Sequence, residues 1–157
     1  MNQNHEQEFK RKKLELVRQA REIYYNADNY RSFFVSAIFL VWHDGEYSTY
    51  KGVNVMHDKG GPKCCAEKGA YIGARADGLC KQPDDVVVAV IVVGKPQPDS
   101  GSGKKSPTLH PCRECRQMLV AIPAVQDDTI IYTTGPNELD PFEEQRFNQL
   151  YSYHEIP

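Results

Sequence analysis

Eight consecutive apolar residues, Val86 to Val93, constrain this chain more than any other stretch. The run is far short of the ~20 residues that a membrane-crossing helix needs. It fits a buried strand instead, predicted over Asp84 to Val93. The flanking segments carry the periods that would cover such a strand. Apolar positions at Phe9, Leu14, Val17, Ala20, Ile23, Tyr24 and Ala27 predict a helix over Glu6 to Ala27 with a basic outer face. Phe33 to Trp42 reads as a strand, His43-Asp44-Gly45 as a turn, and Tyr47 to Met56 as the second strand of a hairpin. Gly60-Gly61-Pro62 breaks the chain. A helix is predicted over Cys64 to Ala76, with Gly69 and Gly73 counting against it and Asp77-Gly78 as its C-cap.

Beyond the buried strand, Gly94 to Pro107 is a loop of Gly, Pro, Ser and Lys, expected to be a mobile surface excursion. Pro111 opens a helix over Cys112 to Ala121. Asp128 to Thr133 reads as a strand, Pro141 to Leu150 as a last helix, and Tyr151 to Pro157 as an aromatic tail. The order α-β-β-α-β-α-β-α, with no internal repeat or long linker, predicts one domain over residues 1–157. Its expected fold is a three-layer α/β/α sandwich with a mixed central sheet of about five strands. Both helices that begin with cysteines start at the kind of edge where α/β folds place ligand sites.

A chain of 157 residues is long enough for a real core. The formal net charge of −2 argues against binding long nucleic acids, which takes a basic surface. A small molecule is the more natural partner. The polar, charged stretch Met1 to Lys13 lacks the apolar core of a secretory signal, so a cytoplasmic setting and no membrane are expected.

Five cysteines, at 64, 65, 80, 112 and 115, are an odd number, and four of them form two tight pairs. In a chain without a secretory signal this points to metal binding ahead of disulfides. Cys112 and Cys115, at i and i+3 behind Pro111, can bite one ion from one helix face. The helix N-terminus favours the thiolate that coordination requires. Taken alone, the pair also fits a redox dithiol or two buried thiols. Cys65 supplies a third sulfur, and Glu67 follows two residues later at the head of the same predicted helix. Three protein ligands leave one corner of tetrahedral zinc open for water. A carboxylate beside that corner can take a proton from the water and pass it on. The pairing of a ligand-x-Glu motif with Pro-Cys-x-x-Cys is the described signature of zinc deaminases. A closed structural zinc site, with Cys64 or His110 as fourth ligand, is the non-catalytic alternative. Lys68 and Arg116 are each placed to donate to the sulfurs or to sit as surface cations. Cys64 and Cys80 are expected to be inert buried thiols.

With those residues in place, the chain from about Tyr30 onward resembles the cytidine deaminase family. Tyr30-Arg31-Ser32-Phe33-Phe34-Val35-Ser36-Ala37 is similar to the family's Tyr-Ser-x-Phe-x-Val-Gly-Ala, and Tyr50-Lys51-Gly52-Val53-Asn54-Val55 to its Tyr-x-Gly-Val-Asn-Val. Cys65-Ala66-Glu67 and Pro111-Cys112-Arg113-Glu114-Cys115-Arg116-Gln117 complete the match. The resemblance implies a cytidine-deaminase-like fold, a Zn2+ ion on Cys65, Cys112 and Cys115, and catalysis by Glu67. It implies substrate contacts from Asn54, Phe33 and Ala66, and a homotetramer. The implied reaction is hydrolytic deamination at C4 of a cytosine-type nucleoside.

One departure bears on the substrate. The family's nucleoside deaminases read Asn-x-Glu where this chain has Asn54-Val55-Met56, and methionine cannot accept the sugar's hydrogen bond. The run from Gly52 to Pro62 is closer to the Gly-Val-Asn-Val-x-His-x-x-Gly-Gly-Pro of blasticidin-S deaminases within the family, and Ser36 points the same way. That similarity makes His57 a further expected substrate contact and a modified cytosine nucleoside the expected substrate. Phe33 and the extra Lys63-Cys64 point back to cytidine or deoxycytidine. The tail residue Tyr153 resembles the aromatic terminus that closes over substrate in these enzymes.

Overall fold

The computed structural model describes residues 2–96 and 106–153, with only the backbone of 151–153. Most of the 94–107 loop and the end of the aromatic tail therefore lie outside the described residues. Along the chain the elements are α1 (Gln3–Ile23), β1 (Asp28–Asn29), β2 (Val35–His43), β3 (Glu46–Val53), β4 (Val55–Met56), α2 (Ala66–Ala76) and β5 (Val86–Gly94). They continue with α3 (Arg113–Ala121), β6 (Val125–Thr134), β7 (Phe142–Arg146) and α4 (Phe147–Tyr153). Among the described residues no helix is long and apolar enough to cross a membrane.

The apolar run becomes β5, the middle strand of a five-stranded sheet ordered β3-β2-β5-β6-β7. It pairs antiparallel with β2 and parallel with β6, so the sheet is mixed as expected. Every residue of β5 is buried because helices cover both faces. On one face Phe9, Leu16, Val17, Ala20 and Tyr24, in and just after α1, pack on Ile38, Leu40, Val88 and Ile91. On the other face Ala66, Ala70 and Ala74 of α2, Leu119 of α3, and Phe147 and Leu150 of α4 pack on Val35, Ala37, Phe39, Val90 and Val92. Ser36 turns toward the α1 layer, where its hydroxyl donates to the carbonyl of Ala20 at 2.6 Å. It ties α1 to β2 on the face opposite α2 and α3.

Three expectations about elements need correction. Leu14 was counted in the apolar stripe of the first helix but is 83% exposed, because the buried stripe runs through Leu16 instead. The second hairpin strand does not run unbroken to Met56: it stops at Val53, and β4 pairs with β1 instead of β2. The helix expected over Pro141 to Leu150 is a strand and then a helix. Phe142-Glu143-Glu144-Gln145-Arg146 carries good helix formers, yet it lies antiparallel on β6 as the sheet's edge strand. Pairing with β6 overrides local preference, and α4 begins only at Phe147.

Candidate active site

The first turn of α2 sits against β3 with no room for a side chain between them. A Cβ on Gly52 would lie 2.1 Å from the carbonyl oxygen of Ala66 and 2.5 Å from the amide nitrogen of Ala70. Only glycine permits that approach. The approach sets where the head of α2 lies, and with it Cys65 and Glu67. Cys65 is the N-cap residue of α2, and its side chain makes no cap hydrogen bond. Cys112 occupies the same place on α3, also without a side-chain cap bond, and Cys115 lies in that helix's first turn. Both helices thus spend their cap position on sulfur.

The three sulfurs of Cys65, Cys112 and Cys115 all lie within 4.8 Å of one another. Sulfurs on one tetrahedral zinc at about 2.3 Å sit about 3.8 Å apart. The Cys65 and Cys112 sulfurs are 3.8 Å apart, so the donor set fits the ion. Hydrogen bonds from Cys115 and Cys65 pull the Cys112 thiol down, and sharing with that anion pushes Cys65 and Cys115 up. Deprotonation of the remaining thiols accompanies metal loading.

Neither rival fourth ligand joins the cluster. The Cys64 thiol donates to the carbonyl of Cys65 at 3.6 Å, while the Cys64 backbone pairs with Val55. His110 directs Nε2 to Glu143 Oε1 at 2.8 Å and lies 2.9 Å from Ser106 Oγ. Among the described residues the metal-ligating group has three members. Cys80 is buried well away in sequence, after α2, with its amide donating to Asp85 at 2.8 Å.

Glu67 stands beside the sulfurs, 3% exposed. Burial pushes its carboxyl above the usual carboxylate range, against hydrogen bonds from its own backbone and from the Cys115 thiol. A carboxyl shifted in that direction holds a proton more readily than a free one, as a proton carrier requires. Three thiolates and a divalent ion leave one negative charge, and the two candidate cations prove different. Lys68 is exposed. Arg116 is half-buried, its Nη1 donating to the carbonyl of Pro111 at 3.0 Å; burial lowers its pKa, and the negative sulfurs of Cys112 and Cys115 oppose that shift.

The other expected contacts differ in their surroundings. Ala66 is fully buried at the start of α2. Asn54 is buried in the break between β3 and β4. Its Oδ1 accepts from the amide of Val35 at 2.7 Å, and its Nδ2 donates to the carbonyl of Phe33 at 2.8 Å. The carboxamide thereby holds the entry to β2 and keeps one N–H and one lone pair unspent on those bonds. Phe33 is half-buried against the core beneath α2 and α3. His57 is exposed, with its Nδ1 3.0 Å from Asp28 Oδ2 beside the β1–β4 pair. The side chain of Tyr153 lies outside the described residues. Two contributors escaped the sequence reading. Gly52 is legible only as a motif glycine until the α2 backbone is seen against it. Glu143 hid inside a segment that reads as helix.

The model of the family described as the cytidine and deoxycytidylate deaminase zinc-binding region matches residues 10–133. No curated protein sequence matches this chain. Among solved structures, cytidine deaminase from Burkholderia pseudomallei superposes with a TM-score of 0.65 at 21% identity, covering 86% of this chain and 92% of that one. Cytidine deaminase from Mycobacterium leprae gives 0.58 at 26% identity, covering 86% and 92%. Cytidine deaminase from Mycobacterium tuberculosis gives 0.57 at 20% identity, covering 90% and 95%. The matched span holds both cysteine motifs and Glu67 at the heads of α2 and α3, and the chain belongs to the cytidine and deoxycytidylate deaminase family of zinc-binding proteins.

Proposed function

We propose that this protein hydrolytically deaminates C4 of a cytosine-type nucleoside, and that its preferred substrate is a modified nucleoside of the blasticidin-S type. The observation that carries the reaction is the buried Glu67 carboxyl beside three convergent sulfurs. Cys65, Cys112 and Cys115 hold the zinc. When bound, zinc supplies a Lewis acid that lowers the pKa of water from ~15.7 to about 7. Glu67 takes one proton from water as its oxygen attacks C4 and delivers it to ring N3. It then takes the remaining hydroxyl proton as the C4=O bond forms and the C4–N bond breaks, and delivers it to the departing amine, which leaves as ammonia. Its raised pKa suits both directions of transfer. Asn54, held rigid by Phe33 and Val35, presents its remaining donor or acceptor to the sugar. Phe33 and Ala66 line the base side, and His57 and Tyr153 are the outer contacts.

Met56 in place of the family's glutamate supports the modified substrate, because the site lacks the acceptor that a ribose hydroxyl would use. The similarity to structures named cytidine deaminases, with Phe33 at its family position, favours cytidine or deoxycytidine as the second reading. On the family resemblance we also read the assembly as a homotetramer. Ile72 on α2 and Val120 on α3 are about half exposed and supply apolar surface for it. Five unpaired cysteines suit a reducing, cytoplasmic setting. The test is a panel of cytidine, deoxycytidine and blasticidin S on zinc-loaded protein, followed by ultraviolet absorbance, with Glu67→Gln as control. Blasticidin S is expected to turn over with the highest kcat/KM, and Glu67→Gln to lose roughly 10²–10⁴-fold. Faster turnover of cytidine refutes the substrate, and an active Glu67→Gln refutes the proton carrier.

A further inference from the structure

Ser106, Thr108 and His110 alternate along the irregular approach to α3, immediately ahead of Pro111 and Cys112. All three direct hydrogens to a single oxygen. Glu143 Oε1 accepts from Ser106 Oγ at 2.6 Å, from His110 Nε2 at 2.8 Å, and from Thr108 Oγ1. Since the Thr108 hydrogen is committed there, the Thr133 hydroxyl donates to Thr108 Oγ1 at 2.6 Å. Thr133 is the direct cross-strand partner of Glu143 in the β6–β7 register. The network therefore closes on the sheet. Thr108 and Thr133 are almost wholly buried, and the His110 side chain is 9% exposed. A half-buried carboxylate with three donors on one oxygen is a strong anchor. Burial opposes the Glu143 charge, yet the bonds from Ser106, Thr108 and His110 outweigh it and hold its carboxyl below the usual range.

The anchor's place in the chain gives it a task. α3 has nine residues, and its N-cap side chain, Cys112, makes no cap bond. Arg116 fastens Pro111 from within the helix itself and so cannot locate that helix against the sheet. Leu119 packs the body of α3 on the sheet, and the segment 106–110, tied to Glu143, fixes the end of the helix that carries the cysteines. We propose that Glu143 is a positioning residue for the metal centre: it fixes the segment 106–110 to the sheet edge and thereby holds Cys112 and Cys115 in register with Cys65. The proposal rests on the three-sulfur site and is independent of which nucleoside is the substrate.

The test is zinc affinity of the full chain by competition with a chromophoric chelator, together with the sulfur-to-metal absorption bands of the Co2+-loaded protein. Loss of a partner that orients metal ligands costs roughly 10–100-fold in metal affinity. Glu143→Ala is expected to weaken zinc binding by about that factor and to shift the Co2+ bands. Glu143→Gln, which keeps an acceptor oxygen without the charge, should fall between it and the parent. Glu144→Gln, on the same strand but paired with Lys13 at 3.1 Å, should match the parent. Parental zinc affinity and Co2+ bands in Glu143→Ala overturn the proposal, even where the variant melts earlier. If Glu143→Ala does not fold, Glu143→Gln and Ser106→Ala decide by the same criterion. A parent protein that takes up no zinc overturns the metal site itself, and the proposal with it.

Discussion

Gly52→Ala should damage this protein far more than a single methyl group suggests. The new Cβ would meet the Ala66 carbonyl oxygen at 2.1 Å and the Ala70 amide nitrogen at 2.5 Å. Both are backbone atoms, so no rotamer change relieves the contact. Restoring ordinary spacing requires α2 and β3 to part by about 1 Å, against cores packed at crystal-like density. Ala66, Ala70 and Ala74, all fully buried, lie along the face of α2 that would lift. Overpacking costs about 1–3 kcal/mol, and the rigid neighbours place Gly52→Ala at the upper end. For a chain of this size that is a loss of roughly 6–12 °C in Tm. The displacement also carries Cys65 and Glu67 away from Cys112 and Cys115, and a shift of about 1 Å costs activity by the order of 10²-fold.

Gly73 provides the contrast. A Cβ there has only Tyr50 Cδ1 within reach, at an ordinary 3.5 Å. Gly73→Ala should therefore gain helix propensity, up to about 1 kcal/mol. Thermal melts and steady-state rates of the two variants check both arms. A Gly52→Ala protein that melts with the parent and keeps its rate refutes the close-approach reasoning.

Two further outcomes follow from buried polar groups. Asn54→Ala strands the amide of Val35 and the carbonyl of Phe33, so denaturant unfolding should show a loss of about 2–3 kcal/mol together with reduced turnover; an unchanged midpoint contradicts the bracing role. His5 is buried at the start of α1, with Nδ1 2.7 Å from the Tyr47 hydroxyl and its ring against Trp42. Burial first, then the charge of the chain's amino terminus, lowers its pKa, with Asp128 opposing. The unfolded chain binds this proton more readily. The contribution of His5 is therefore complete above about pH 6.5 and is lost as pH falls below that, toward the lower folded value. Unfolding at about pH 7.5 and about pH 5.5 should show a difference that His5→Gln diminishes, and an unaltered difference contradicts it.

The metal site was legible because its chemistry is compressed into short motifs. Cys65-x-Glu67 and Cys112-x-x-Cys115 place three thiols, a carboxylate and two helix heads within a few residues. The sheet was legible at β5, where an unbroken apolar run has only one comfortable place. Legibility failed where tertiary pairing outweighs local preference. Phe142 to Arg146 is written in helix-forming residues and becomes a strand because β6 presents an unpaired edge. The glycines of α2 read as a weakness in a helix, whereas the close approach is demanded by Gly52 on the other element. Asn54 looks like a sugar contact in the motif, but its bonds to Phe33 and Val35 also make it a brace, which no spacing reveals.

X-ray absorption at the zinc edge of the purified, metal-loaded protein interrogates the centre itself. The predicted result is one zinc per chain with three sulfurs at about 2.3 Å and one lighter neighbour. A fourth sulfur, or a histidine ring filling the remaining corner, would make the site structural and leave Glu67 without a reaction to serve.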